Sequence, residues 1–167
     1  MGLVERKVNH EFGSQAQPDS AYVSSRHALP GRRRRAKALE FYAEVFGATE
    51  RSRFPGPGGT VAHAEIEIGD SVVIVDDVNP QRGTTAPPRG GLEGTPVFQF
   101  IYVDDVDAVV ARAVELGATV RRAPQDQFYG DRDGYIVDPF GHGWAVASHV
   151  EDVGAEEMMK RMAALYQ

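Results

Sequence analysis

The polar residues most capable of chemistry in this chain lie two apart. His63, Glu65 and Glu67 alternate with Ala64, Ile66 and Ile68, so in a strand the three would share one face. Imidazole and carboxylate groups together can hold a divalent metal or move a proton. His149 has the parity of Ala145 and Ala147 on a later strand and can add a second imidazole. The plainer reading, preferred here, is a solvated strand face and a strand-end histidine, because parity alone does not reveal a perturbed group. A second set is aromatic. Phe98, Phe100 and Tyr102 share one side of their strand, Gln99 takes the other, and the three rings make a wall suited to a planar or apolar ligand. Core packing accounts for the rings equally well. A third set lies in residues 127–133 (QFYGDRD), which read as a loop. There Tyr129 can touch a ligand, and Arg132 offers a planar fork to carboxylate or phosphate unless it pairs with Asp131 or Asp133.

Composition narrows the classes. The chain has 167 residues, 42% hydrophobic and 25% charged, enough to bury a core without a disulfide or structural metal. With no cysteine, thiol catalysis and zinc–thiolate sites are excluded. A net charge of -6 weighs against a nucleic-acid partner. No apolar run approaches the ~20 residues of a membrane span, and the polar N-terminus lacks a signal peptide's apolar core. A cytoplasmic protein is expected.

Periodicity supplies the elements that must hold the candidate residues. Residues 1–36 read as a poorly structured arm or an altered first strand, ending in the basic run RHALPGRRRR. From residue 37, apolar positions at helical spacing run to Phe46, and Gly47 closes the helix. Residues 62–68 and 71–75 read as a hairpin around Gly69-Asp70. A long Gly/Pro-rich loop over residues 79–94 precedes a second cycle, in which a strand at 97–103 leads to a helix capped by Asp104-Asp105 and stopped at Gly117. Strands follow at 119–122, 134–137 and 143–148, the last two joined by Asp138-Pro139-Phe140-Gly141. The parity of Trp144 places it under a helix, and residues 155–166 form an amphipathic helix whose methionines suit packing or a dimer contact. The two cycles repeat: AEVFGATER around Gly47 corresponds to AVELGATVR around Gly117, and Gly69 to Gly141. Two copies of a β-α-β-β-β unit are implied, as modules at 37–95 and 96–150 with a C-terminal helix at 151–167.

With ALEFYAEVFGATE, HAEIEIGDSVV, YVDDVDAVVARAVELGAT and QFYGDRDGYIVDPFGHGWAVASHVEDV in that order, the chain resembles the vicinal oxygen chelate (glyoxalase/bleomycin resistance/dioxygenase) superfamily, and within it the PhnB-like subgroup. The resemblance implies an α+β fold, two β-α-β-β-β modules whose curved mixed sheet surrounds a cavity, a small-molecule ligand and a homodimer. It also implies where metal-dependent members place four ligands, on the first and last strand of each module. The first falls in residues 26–35 and has no match, the second falls near Ile74, the third near Phe98 and the fourth at Ala145, none of which can bind a metal. No cofactor is therefore expected, and a binding protein of the bleomycin-resistance type is preferred, with Phe98, Phe100, Tyr102, Tyr129 and Arg132 as its ligand residues. The alternative is a lyase, isomerase or dioxygenase holding a divalent metal through His63, Glu65 and His149. Whether the chain is an enzyme stays open. Members of the family often open on a strand resembling VTPYLVVDGA. Written in GC-rich codons and read in a shifted frame, residues 26–35 give VTPYLVVDG, so the first strand is expected to be degenerate, as a frame-shifted version of that sequence.

Overall fold

A computed structural model of the chain describes residues 27–29, 32–56, 60–79, 81, 83–87 and 97–165. Most of the expected N-terminal arm, 1–26, lies outside these residues, as does part of the loop at 79–94. The elements run β1 (His27–Leu29), α1 (Arg32–Phe46), β2 (Thr49–Gly56), β3 (Thr60–Ile68), β4 (Ser71–Asp77), β5 (Phe98–Tyr102), α2 (Val106–Glu115), β6 (Thr119–Asp126), β7 (Asp131–Val137), β8 (Gly143–His149) and α3 (Ala155–Ala164). They form two four-stranded sheets of identical topology, β1-β4-β3-β2 and β5-β8-β7-β6. In each, the strand before the helix pairs parallel with the last strand of its module and the remaining pairs are antiparallel. This is the expected α+β arrangement of two β-α-β-β-β modules.

Two boundaries differ from the sequence reading. Helix α1 starts at Arg32 rather than Lys37. Packing of its later turns stabilises it, since Ala38, Leu39, Tyr42, Val45 and Phe46 are all buried. Asp131, Arg132 and Asp133 belong to β7 and not to a loop, so alternation assigns them to opposite faces. Strand β1 is three residues long against five for its counterpart β5, and it pairs His27 with Val75 through Leu29 with Asp77.

One core joins the modules on their helix side. Ile66, Val73 and Val75 of the first sheet and Ile136, Trp144 and Val146 of the second belong to the same buried cluster as α1 and α2. Trp144 packs under α1, 4.5 Å from the Phe46 ring and 5.4 Å from Tyr42. The β7–β8 turn is tied into this core by Asp138. Its carboxylate accepts hydrogen bonds from Tyr42 Oη (2.8 Å), Trp144 Nε1 (3.1 Å) and the backbone N–H groups of Phe140 and His142. Burial acts to raise the Asp138 pKa, but the His142 and Trp144 contacts outweigh it and hold the carboxyl below its usual range. Because all of this packing uses one face of each sheet, the opposite faces are left open.

Candidate functional site

The open face of the second sheet carries the aromatic stripe. Phe98, Phe100 and Tyr102 of β5 lie there substantially exposed, beside the small buried Ala145 and Ala147 of β8. Gln99, of the other parity, is buried toward the helices. Tyr135 of β7 completes the surface, its ring 5.7 Å from that of Phe98. Between β6 and this wall is a cavity of about 450 Å³ lined by Phe98, Phe100, Tyr135, Arg121 and Arg122.

Two adjacent residues of a regular strand would face opposite ways, and here a bulge brings both arginines to one cavity. The β6–β7 register passes from Val120 opposite Ile136 to Arg122 opposite Tyr135, so Arg121 is the extra residue. A second irregularity, at Ala123 and Pro124, precedes the pairing of Gln125 with Asp133. Gly134 lies beneath it, where an added Cβ would sit 3.1 Å from Arg122 O and Pro124 N, so a larger residue would press on the bulge. Arg122 is held in place. Its Nη2 is 2.7 Å from Asp133 Oδ2 and its guanidinium lies 4.3 Å over the Tyr135 ring. Asp133 is fully buried, and Tyr129 Oη donates to its Oδ2 at 3.1 Å. Burial first, then Asp133, push the Tyr129 hydroxyl up to about 12, so it remains a donor near neutrality. Arg122 Nε and Asp133 Oδ1 are buried without a hydrogen-bond partner.

At the far end of the same face, Tyr102 Oη donates to Asp131 Oδ2 (2.7 Å) and His149 Nδ1 lies 3.0 Å from Asp131 Oδ1. His149 Nε2 faces Asp152 at 3.0 Å. With a carboxylate at each ring nitrogen, Asp131 before Asp152, the His149 pKa is raised. Burial acts to raise Asp131, yet the Tyr102 and His149 bonds outweigh it and lower that carboxyl. Gly130 fixes the loop beside them. Its φ is +97°, and a Cβ there would come within 2.0 Å of Glu151 O.

Of the residues expected from sequence to bind a ligand, Phe98, Phe100, Tyr102 and Tyr129 are therefore gathered around one face. Arg132 is not among them. It points to the helix side, where Nε and Nη2 grip both oxygens of Asp107 (2.7 and 2.9 Å) and Nη1 meets Asp126. Its pairing is with these carboxylates rather than with Asp131 or Asp133. The cations of the face are Arg121 and Arg122, and the one sequence sign of their bulge is a proline inside a strand, Pro124.

The residues of the alternative metal set are divided. His63 lies on the open face of the first sheet, with Nδ1 3.0 Å from Asp76 Oδ1 and Nε2 3.2 Å from Glu65 Oε1. His149 belongs to the second sheet with partners of its own. Among the described residues no group of three or more His, Asp or Glu is arranged to hold a metal ion. At the positions where the family's metal ligands would stand, Ile74, Phe98 and Ala145 carry no donor atom, so these residues do not fit the metal. Among the described residues, no helix is long and apolar enough to cross a membrane.

Comparison with known proteins agrees with this architecture. The sequence profile of the Glyoxalase/Bleomycin resistance protein/Dioxygenase superfamily matches residues 27–146. An uncharacterized protein of Mycobacterium bovis is 42% identical over 130 residues, covering 77% of this chain and 86% of its own. Among solved structures, TioX from a Micromonospora species has TM-score 0.58 at 24% identity, covering 78% of this chain and 100% of its own. TnmS3, an antibiotic binding protein from a Streptomyces species, has TM-score 0.53 at 24% identity, covering 80% and 99%. With the profile spanning both modules and the repeated sheets on which they are built, the chain belongs to the Glyoxalase/Bleomycin resistance protein/Dioxygenase superfamily.

Proposed function

We propose that the protein is a small-molecule binding protein of the bleomycin-resistance type, working without the family's usual metal, and that the open face of the second sheet is its site. One observation carries the reading: Phe98 stands with Phe100 and Tyr135 in an aromatic wall over a cavity of about 450 Å³, within the size range of small-molecule sites. TnmS3, which shares this fold, is an antibiotic binding protein, and this supports a small-molecule ligand here. In this reading the protein is a PhnB-like member and works as a homodimer, whose formation would also cover exposed rings such as Phe54 of the first sheet.

A specific arrangement favours a second reading. His63 sits between two carboxylates on the other open face, the environment of an acid–base group, and would serve a lyase, isomerase or dioxygenase. Two measurements decide. A planar aromatic library screened by thermal shift should contain compounds that raise Tm by about 5 °C at a hundredfold excess over Kd, with the gain lost in Tyr135→Ala. Elemental analysis of protein purified without chelator or metal-affinity resin should find no stoichiometric metal. Near-stoichiometric metal that disappears in His63→Ala or His149→Ala would replace the binding reading with the enzyme one.

A further inference from the structure

We infer that two copies of the chain join through the free edges of their β5 strands, antiparallel about a two-fold axis at Phe100. The inference rests on the homodimer of the proposed function and names the surface through which it forms. Each sheet ends in two edge strands, β1 and β2 in the first and β5 and β6 in the second. All but β5 are blunted against pairing. β2 has two register shifts with Arg51, Arg53 and Pro55, β6 has two with Arg121, Arg122 and Pro124, and β1 is three residues long. β5, with the sequence FQFIY, runs five residues in unbroken register and carries neither charge nor proline. A flat apolar edge of this kind is a template for another strand.

The backbone of that edge is turned outward. Val103 donates its N–H to Ala147 O, so along the parallel ladder Gln99, Ile101 and Val103 bond to β8, and the N–H and C=O groups of Phe98, Phe100 and Tyr102 face away from the sheet. The strand is also close to a palindrome. Antiparallel pairing about Phe100 sets Phe98 against Tyr102 of the partner subunit and Phe100 against its own equivalent. Each outward residue then exchanges both backbone hydrogen bonds with the one opposite, and every ring meets another ring on the same face. In a chain of net charge -6, a strand without charge lets two copies approach. The rings are 43%, 51% and 62% exposed, which offers roughly 300 Å² of aromatic surface per copy. That places the contact at the small end of protein interfaces, below about 1,200 Å² in all, so the dimer is weak and depends on concentration.

Sedimentation of the wild-type protein should show monomer at about 1 μM and dimer by about 100 μM. Because the chain has no cysteine, a single introduced thiol reports the register. In Phe100→Cys the two copies' Cα atoms should lie about 5.5 Å apart across the axis, within disulfide reach, whereas in Phe98→Cys they should lie about 14 Å apart. Under mild oxidant, Phe100→Cys should therefore cross-link about tenfold or more faster than Phe98→Cys or Tyr102→Cys alone, and an equal mixture of the last two should cross-link to each other. In the wild type, hydrogen exchange at the backbone N–H groups of Phe98, Phe100 and Tyr102 should slow as concentration rises, while Gln99 and Ile101, already bonded to β8, change little. Should the cysteine variants fail to fold, the exchange measurement decides alone. Cross-linking with no preference for Phe100→Cys, or exchange at those amides that does not slow in a dimer, would overturn the β5 contact and leave the homodimer standing. A monomer at every concentration would overturn both.

Discussion

Arg51 and Arg121 occupy the same bulge in the two modules, and the residues across from them make one sheet face acidic and the other basic and aromatic. In the first sheet the register steps from Glu50 to Ser52, and in the second from Val120 to Arg122. Opposite the start of each strand, Thr49 faces Glu67 and Thr119 faces Val137, so Arg51 has a carboxylate 3.9 Å away at the position where the second sheet has valine. One step on, the pair Ser52 and Glu65 is replaced by Arg122 and Tyr135. The backbone device is duplicated while the chemistry is not. The same bulge carries a solvated acidic surface in the first sheet and a cavity with aromatic walls and two arginines in the second.

The hairpin turns diverge in the same way, and the largest expected effect lies there. Gly69-Asp70 is a tight exposed turn, whereas Asp138 is buried under hydrogen bonds that tie it to Tyr42 of α1. Asp138→Ala should cost about 3 kcal/mol or more in urea unfolding, because its donors lose a buried acceptor, and Asp70→Ala less than about 0.5 kcal/mol. Since the folded Asp138 carboxyl titrates below its usual range, the stability it adds is full above the ordinary carboxylate pKa and is lost as pH falls through its folded value. The acid limb of the stability profile should therefore flatten in Asp138→Asn. Similar losses for Asp70→Ala and Asp138→Ala would erase the distinction between the turns.

A smaller gap should separate the polar centres of the two faces. Asp133→Ala removes the carboxylate of a partly buried Arg122 and should cost about 2 kcal/mol, while His63→Ala, at a more solvated site, should cost less than about 1 kcal/mol. Smaller again is the effect of β1. Replacing residues 26–34 by VTPYLVVDG, the shifted-frame reading, should lengthen β1 toward the five residues of β5 and raise Tm by about 3 °C in calorimetry. An unchanged or lower Tm would sink the frame-shift reading. The smallest effect is electrostatic. His149 should titrate above its ordinary pKa by NMR, and Asp152→Asn should lower that value. Because its folded pKa is raised, what His149 adds to stability is present below the unfolded-state value and is lost as pH rises through the folded one.

Much of the fold was legible because it depends on local rules. The helical spacing ending at Gly47 and Gly117, where φ is +65° and +96°, and the repeat around them implied two like modules before any pairing was known. The parity of Phe98, Phe100 and Tyr102 placed three rings on one face, and that of Trp144 placed it under a helix. The reading failed where a strand start was misjudged. Arg132 read as a loop fork to a ligand, but in β7 it faces α2 and pairs with Asp107.

What the sequence determined by itself is the repeated module, because helix stops and strand alternation are properties of short segments. Only the tertiary structure decided which cations meet the aromatic wall. A bulge is set by pairing with a second strand, and it was pairing with β7 that brought Arg121 and Arg122 to one cavity, stacked Arg122 on Tyr135 and buried Asp133 beneath them.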